Sequence, residues 1–217
     1  LEACRSKAKT FINATQREEV IFTRGTTEGI NLVAQVISSR IKPGQDIVIS
    51  QLEHHSNIVP WQLLAQRTGA NIKAIDITEA GDLDLNDAAN VITDNTALLA
   101  ISHISNGLGS VNPITGLIAQ AKQVGALTLI DGAQAVLHAD IDVQTLGCDF
   151  YVFSAHKMFA PTGIGILYGR LELLNSLPPW QGGGEMIDQV SIATSTYQQA
   201  PFLSLIHISE PTRHERI

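Results

Sequence analysis

Short apolar runs rich in Val and Ile recur along this chain, at Val20 to Thr23, Asp46 to Ser50, Ile72 to Ile77, Ala97 to Ser102, Leu127 to Ile130 and Phe150 to Phe153. Each has the length of a strand and is nearly continuous in apolarity, the pattern of a strand covered on both faces. Between them lie stretches with helical periodicity, Thr27 to Ile41, Ile58 to Arg67, Leu85 to Ile92 and Ile114 to Val124. Strand alternating with helix predicts an α/β architecture, a sheet sandwiched by helices. The run Phe150 to Phe153 is separated from a further one, Gly165 to Tyr168, by a segment too short for a crossover helix. Those two strands are therefore expected to be antiparallel neighbours in an otherwise mostly parallel, mixed sheet. The opening Leu1 to Ile12 has helical propensity, and the turn cluster Pro178 to Gly184 marks the one expected boundary.

Composition excludes several classes of function. With 44% hydrophobic and 16% charged residues in 217, the chain can bury enough surface to offset its conformational entropy. A net charge of -7, from 14 Lys+Arg against 21 Asp+Glu, argues against a nucleic-acid partner, which needs a basic footprint. No apolar run reaches the roughly 18 residues of a membrane span, and the first residues lack a signal-peptide cleavage pattern. Cys4 and Cys148 are too few for a disulfide framework and have no zinc-site spacing, so no metal is expected and a reducing, cytoplasmic setting is. The absence of an initial Met suggests a chain that begins within a longer protein.

Five polar clusters follow strands, and ligands of open α/β sheets bind at the carboxyl ends of strands. Arg24-Gly25-Thr26-Thr27-Glu28-Gly29 follows a strand and opens a helix, so backbone N–H groups, two hydroxyls and the positive helix end converge as in a phosphate cup. A Thr-capped helix with Gly25 in a tight turn is the alternative. Glu53-His54-His55-Ser56-Asn57 and Ser102-His103-Ile104-Ser105-Asn106 follow two further strands. Asp131, in Leu129-Ile130-Asp131-Gly132-Ala133-Gln134, is either a ligand-facing acid or a local capping residue. Ser154-Ala155-His156-Lys157 sets a hydroxyl, an imidazole and an amine side by side. A lysine desolvated at a strand end can attack a carbonyl, the requirement of Schiff-base chemistry, whereas a surface lysine with a buried stem is the alternative. A phosphate cup, an acid, an imidazole and an amine together are what pyridoxal 5'-phosphate asks of a protein.

These residues resemble the group II cysteine desulfurases, of the class V aminotransferases with the fold-type I pyridoxal-phosphate architecture. The resemblance runs to about Phe202. Its carriers are Thr23 to Asn31, Glu53 to Gln62, Asp131-Gly132-Ala133-Gln134, Ser154-Ala155-His156-Lys157, Pro161 to Gly165 and Gly182 to Ile187. It implies that Lys157 holds the cofactor, that Lys157 and His54 are catalytic, that Asp131 and Gln134 contact the ring nitrogen and phenolic oxygen, and that His54 stacks on the ring. It further assigns the phosphate to Thr26, Thr27, Ser154 and His156, and places Asn106 near the substrate and the ring oxygen. The implied reaction takes sulfur from L-cysteine, or from L-selenocysteine its selenium, leaving L-alanine. The sulfur passes as a persulfide to an acceptor protein of the SufE/CsdE type for iron–sulfur cluster assembly, and the enzyme is a homodimer.

In that family the persulfide-forming Cys and the carboxylate-binding Arg lie in a C-terminal part, so residues 1–202 are expected to be a large domain without its N-terminal segment and small domain, and inactive alone. Cys4 and Cys148 both read as small packed residues. Residues 203–217 read as a translated sequencing adapter, with a strand and polar tail as the alternative. Two other functions share much of this pattern. A selenocysteine lyase or other class V lyase or aminotransferase would keep the cofactor residues, and a non-catalytic scaffold would leave Lys157 unlinked.

Overall fold

Strands without a polar face are stable only between two layers, and the computed structural model has that arrangement. It describes residues 2–181, 187–192 and 194–197. In chain order the elements are α1 (Glu2–Phe11), β1 (Val20–Thr23), α2 (Thr26–Val36), β2 (Asp46–Ser50), α3 (Val59–Thr68), β3 (Asn71–Ile75), α4 (Leu85–Val91), β4 (Thr96–Ser102) and α5 (Ile114–Gln123). They continue with β5 (Leu127–Asp131), α6 (Val143–Leu146), β6 (Phe150–Ser154), β7 (Gly165–Gly169), α7 (Leu171–Asn175), β8 (Ile187–Val190) and β9 (Ser195–Tyr197). The main sheet has the order β1-β7-β6-β5-β4-β2-β3, and β8 and β9 form a separate hairpin.

Alternate residues of each central strand enter opposite cores. Leu98 and Ala100 of β4 pack with Ile30, Val33, Trp61 and Leu64 of α2 and α3. Leu99 and Ile101 pack with Ile114, Leu117 and Ala121 of α5 and with Ala8 and Ala88 of α1 and α4. All five residues of β2 and of β6 are buried. β3 departs from the expectation of cover on both faces: it is an edge strand in which only Ile75 is buried. It also ends two residues earlier than the apolar run, because Ile77 leaves the ladder to bridge Leu83. The helix expected over Thr27 to Ile41 stops at Val36 and gives way to a 3-10 turn at Ser38–Arg40.

β6 and β7 are antiparallel, as the short connection requires. β1 then pairs antiparallel to β7, so two reversals leave β1 running with β6, β5, β4 and β2. Every one of these strands delivers its carboxyl end to the same edge of the sheet. From β2 the chain moves outward to β3, and from β4 it moves the other way to β5. The crevice between the ends of β2 and β4 is thus a topological switch point, where open α/β sheets take their ligands. Cys148 is buried as expected, whereas Cys4 is exposed, because α1 buries only Arg5 and Ala8 and turns Cys4 outward. The turn cluster at Pro178 to Gly184 and the Gly182 to Ile187 motif lie partly, and the adapter-like tail at 203–217 wholly, outside the described residues. Among the described residues no helix is long and apolar enough to cross a membrane.

Candidate active site

At the carboxyl edge a cleft of about 200 Å³ is lined by Thr26, Thr27, His54, Asn106, Asp131, Gln134, Ser154, His156 and Lys157. All the residues singled out as a site from the sequence therefore meet in one place, delivered by the ends of β1, β2, β4, β5 and β6. Ser56, Ser102, Ile104 and Ala133 complete the lining.

One end of the cleft is a cradle for an anion. α2 begins there without a side-chain cap, which removes the Thr-capped reading. The Thr26 N–H donates to Ser154 Oγ at 2.7 Å, and the two hydroxyl oxygens lie 2.8 Å apart. Gly25, immediately before, has φ +151°, and a Cβ there would come to 3.2 Å from Ser154 Oγ. A larger residue would crowd the hydroxyl that ties the cradle to β6. The first N–H groups of a helix, its dipole and two threonine hydroxyls form a place for a phosphoryl group.

The other end carries an acid, an amine and two amides. Asp131 is the last residue of β5, and its Oδ1 accepts the Ala133 N–H at 2.9 Å. Gly132 lies against the Tyr151 ring, whose Cε1 would stand 2.1 Å from any Cβ there, so Asp131 is followed by the one residue that fits. Burial raises the Asp131 carboxyl above the usual aspartate range, against the pull of the Ala133 N–H and of the nearby Lys157 and His54 side chains. Lys157, in the 3-10 turn Ala155–Met158 after β6, is half-buried, and its Nζ donates to Asn106 Oδ1 at 3.4 Å. Gln134 Nε2 donates to the same oxygen. Lys157, Asn106 and Gln134 thus form one chain of hydrogen bonds from three different loops.

His54 stands exposed at the mouth, its Nδ1 accepting the Ser56 N–H at 3.1 Å and lying 2.8 Å from Ser56 Oγ. With Nδ1 committed as an acceptor, the neutral ring carries its proton on Nε2. The adjacent Glu53, whose place in the motif implied no role, is buried behind Ser102. Burial pushes its carboxyl up to about 7, although hydrogen bonds from Ser50, Asn57 and Ser102 favour the anion. No spacing of like residues could have signalled it, since its partner Ser102 is 49 positions away.

The sequence profile of the aminotransferase class-V family matches residues 1–203. Proteins named cysteine desulfurase are 50% identical in Pectobacterium carotovorum and 53% identical in Klebsiella pneumoniae, each over 204 residues, which is 93% of this chain and 50% of theirs. Among solved structures, cysteine desulfurase CsdA of Escherichia coli is 42% identical with a TM-score of 0.90, covering 93% of this chain and 51% of that one. A cysteine desulfurase of Thermococcus onnurineus is 37% identical with a TM-score of 0.88, covering 93% and 50%. The chain spans about half the length of the curated relatives it matches.

Proposed function

This chain belongs to the aminotransferase class-V family, and on that premise we propose that it is the cofactor-binding portion of a pyridoxal 5'-phosphate-dependent cysteine desulfurase. The observation that carries the reading is the meeting of a capless helix N-terminus, a buried acid and a lysine amine in one cleft. Those parts fit the group. The cradle of Thr26, Thr27, Ser154 and His156 suits its phosphate, Asp131 its ring nitrogen, Gln134 and Asn106 its ring oxygen, and His54 the face of its ring. When bound, the cofactor supplies an electron sink for the bond broken at the substrate α-carbon.

The chain's own residues do the rest. Lys157 supplies the amine that fastens the cofactor, and once released moves the proton at the substrate α-carbon. Asp131 holds a positive charge at the ring nitrogen; burial, which makes its anion costly alone, makes that partner more favourable. Asn106, itself held by Gln134, keeps the Lys157 amine in line.

The substrate is L-cysteine, with L-selenocysteine in the same class, and the product is L-alanine. The identity to proteins named cysteine desulfurase supports that choice. The sulfur leaves to a thiolate and passes as a persulfide to an acceptor of the SufE/CsdE type, in support of iron–sulfur cluster assembly in the cytoplasm. A homodimer is the working form. Neither cysteine here is that thiol. Burial pushes the Cys148 thiol up to about 12, and Cys4 on α1 lines no part of the cleft, so residues 1–202 form a domain that holds cofactor without turnover.

Borohydride reduction after incubation with pyridoxal 5'-phosphate tests the reading. A single phosphopyridoxyl group located on Lys157 by mass spectrometry, and lost in Lys157→Ala, is expected. A folded chain with no adduct on Lys157 overturns it.

A further inference from the structure

Glu53 sits at the switch point between β2 and β4 and makes four hydrogen bonds. Its Oε1 accepts from Ser50 Oγ at 2.5 Å, from the Ser102 N–H at 3.0 Å and from Ser102 Oγ at 3.3 Å. Its Oε2 accepts from Asn57 Nδ2 at 2.6 Å. Asn57 closes the 3-10 turn His55–Asn57, and its own N–H returns to the His54 carbonyl at 2.7 Å. Glu53 therefore grips both sides of the turn that carries His54 and ties it to the end of β4. On the β4 side Asn112 Nδ2 donates to the Ser102 carbonyl at 2.7 Å, so the anchor is itself held.

Only a carboxyl satisfies this arrangement. The Trp61 indole N–H, a donor with no acceptor capacity, donates to Asn57 Oδ1 at 2.9 Å and so fixes which way that amide points. Asn57 must then present its NH2 to Glu53, while the backbone N–H of Ser102 presents a second donor from the other strand. Two obligate donors meet two different oxygens. A glutamine would turn its own NH2 against one of them in either orientation, leaving a buried donor unpaired. A link that only held the fold together could equally be apolar at such a site.

We propose that Glu53 is a positioning residue, which fixes the His54 turn to the end of β4 and so holds the His54 ring at the mouth of the cleft, where it would meet the ring of a bound cofactor. This rests on the reading of the cleft as a pyridoxal 5'-phosphate site. Glu53 lines none of that cleft and acts through His54.

A double-mutant cycle on the full chain, with pyridoxal 5'-phosphate affinity read by absorbance, tests it. Glu53→Gln and His54→Ala are each expected to weaken binding roughly tenfold, the size of one lost buried hydrogen bond or ring contact. Adding Glu53→Gln to His54→Ala should cost less than about twofold further, since residues acting through one another are not additive. Equal losses in both backgrounds, or no loss in the parent, overturn the proposal while leaving the cofactor reading intact. A parent chain that binds no pyridoxal 5'-phosphate overturns both. Should Glu53→Gln fail to fold, Ser50→Ala removes a single donor to Oε1, and its roughly threefold loss must likewise vanish in His54→Ala. In the cofactor-free chain, Glu53→Gln should shift the ring nitrogen signals of His54 and leave those of the exposed His138, on the turn after β5, in place. Unmoved His54 signals refute the link.

Discussion

The two edges of the parallel sheet both bury carboxylates, and they treat them in opposite ways. At the amino edge Asp46 opens β2 against Lys73 Nζ at 2.9 Å, and Asp149, just before β6, meets Arg170 at 3.0 Å and the Thr128 N–H at 2.9 Å. Burial opposes the Asp46 anion, but hydrogen bonds from Lys73, Asn95 and Asn71 outweigh it, and its carboxyl falls below the usual range. At the carboxyl edge Glu53 has neutral donors alone and Asp131 a single backbone N–H, and both carboxyls are raised. Acids matched with cations hold the fold, whereas Asp131, which lines the cleft without a cation bonded to it, is where a charged ligand can be received.

The largest contrast should come from Asp149→Ala, which strands the buried N–H and hydroxyl of Thr128. A loss of about 3–4 kcal/mol is expected at neutral pH, measured by urea denaturation. A loss under about 1 kcal/mol would erase the distinction between the edges.

The pH dependence should run in opposite senses. Glu53 rises from 4.5 to about 7 on folding, so the folded state binds the extra proton. Its contribution is fully present below pH about 4.5 and is lost as pH rises through about 7, up to about 3 kcal/mol. Asp46, lowered on folding, contributes above its unfolded value and loses that contribution as pH falls through the folded one. Denaturation midpoints between pH 5 and pH 8 should decline in the parent and decline less steeply in Glu53→Gln, where the raised Asp131 still contributes. An unchanged slope in that variant would assign the decline elsewhere.

The smallest effect on stability belongs to Asp131→Asn, which keeps an acceptor for the Ala133 N–H and removes a costly charge. Stability should change by less than about 1 kcal/mol, while pyridoxal 5'-phosphate affinity falls about 100-fold. A variant that unfolds and still binds would reverse the roles given to the two edges.

β2, β4 and β6 were legible from their unbroken apolar runs because two helical layers do cover them. Asp131, Ser154 and Lys157 were legible because a polar residue straight after such a run has nowhere to go but the carboxyl edge. β3 misled because its composition resembles a buried strand while its place is set by pairing, and nothing in Ile72 to Ile77 says that no strand follows it. Cys4 misled because its helix has a narrow buried face. Glu53 could not be found, since its meaning lies in Ser102 and Trp61, ordinary residues until the strands are side by side.

The insertion of β7 between β1 and β6 has a temporal consequence. The bond from Thr26 to Ser154 closes a loop spanning 128 positions, a contact whose entropy is repaid only after the intervening strands have assembled. A nascent or refolding chain thus owns an acid at β5 and a histidine after β2 before it owns a seat for phosphate. On the reading proposed above, cofactor would be captured late in assembly rather than as its nucleus, and its spectroscopic signal would time the completion of the sheet.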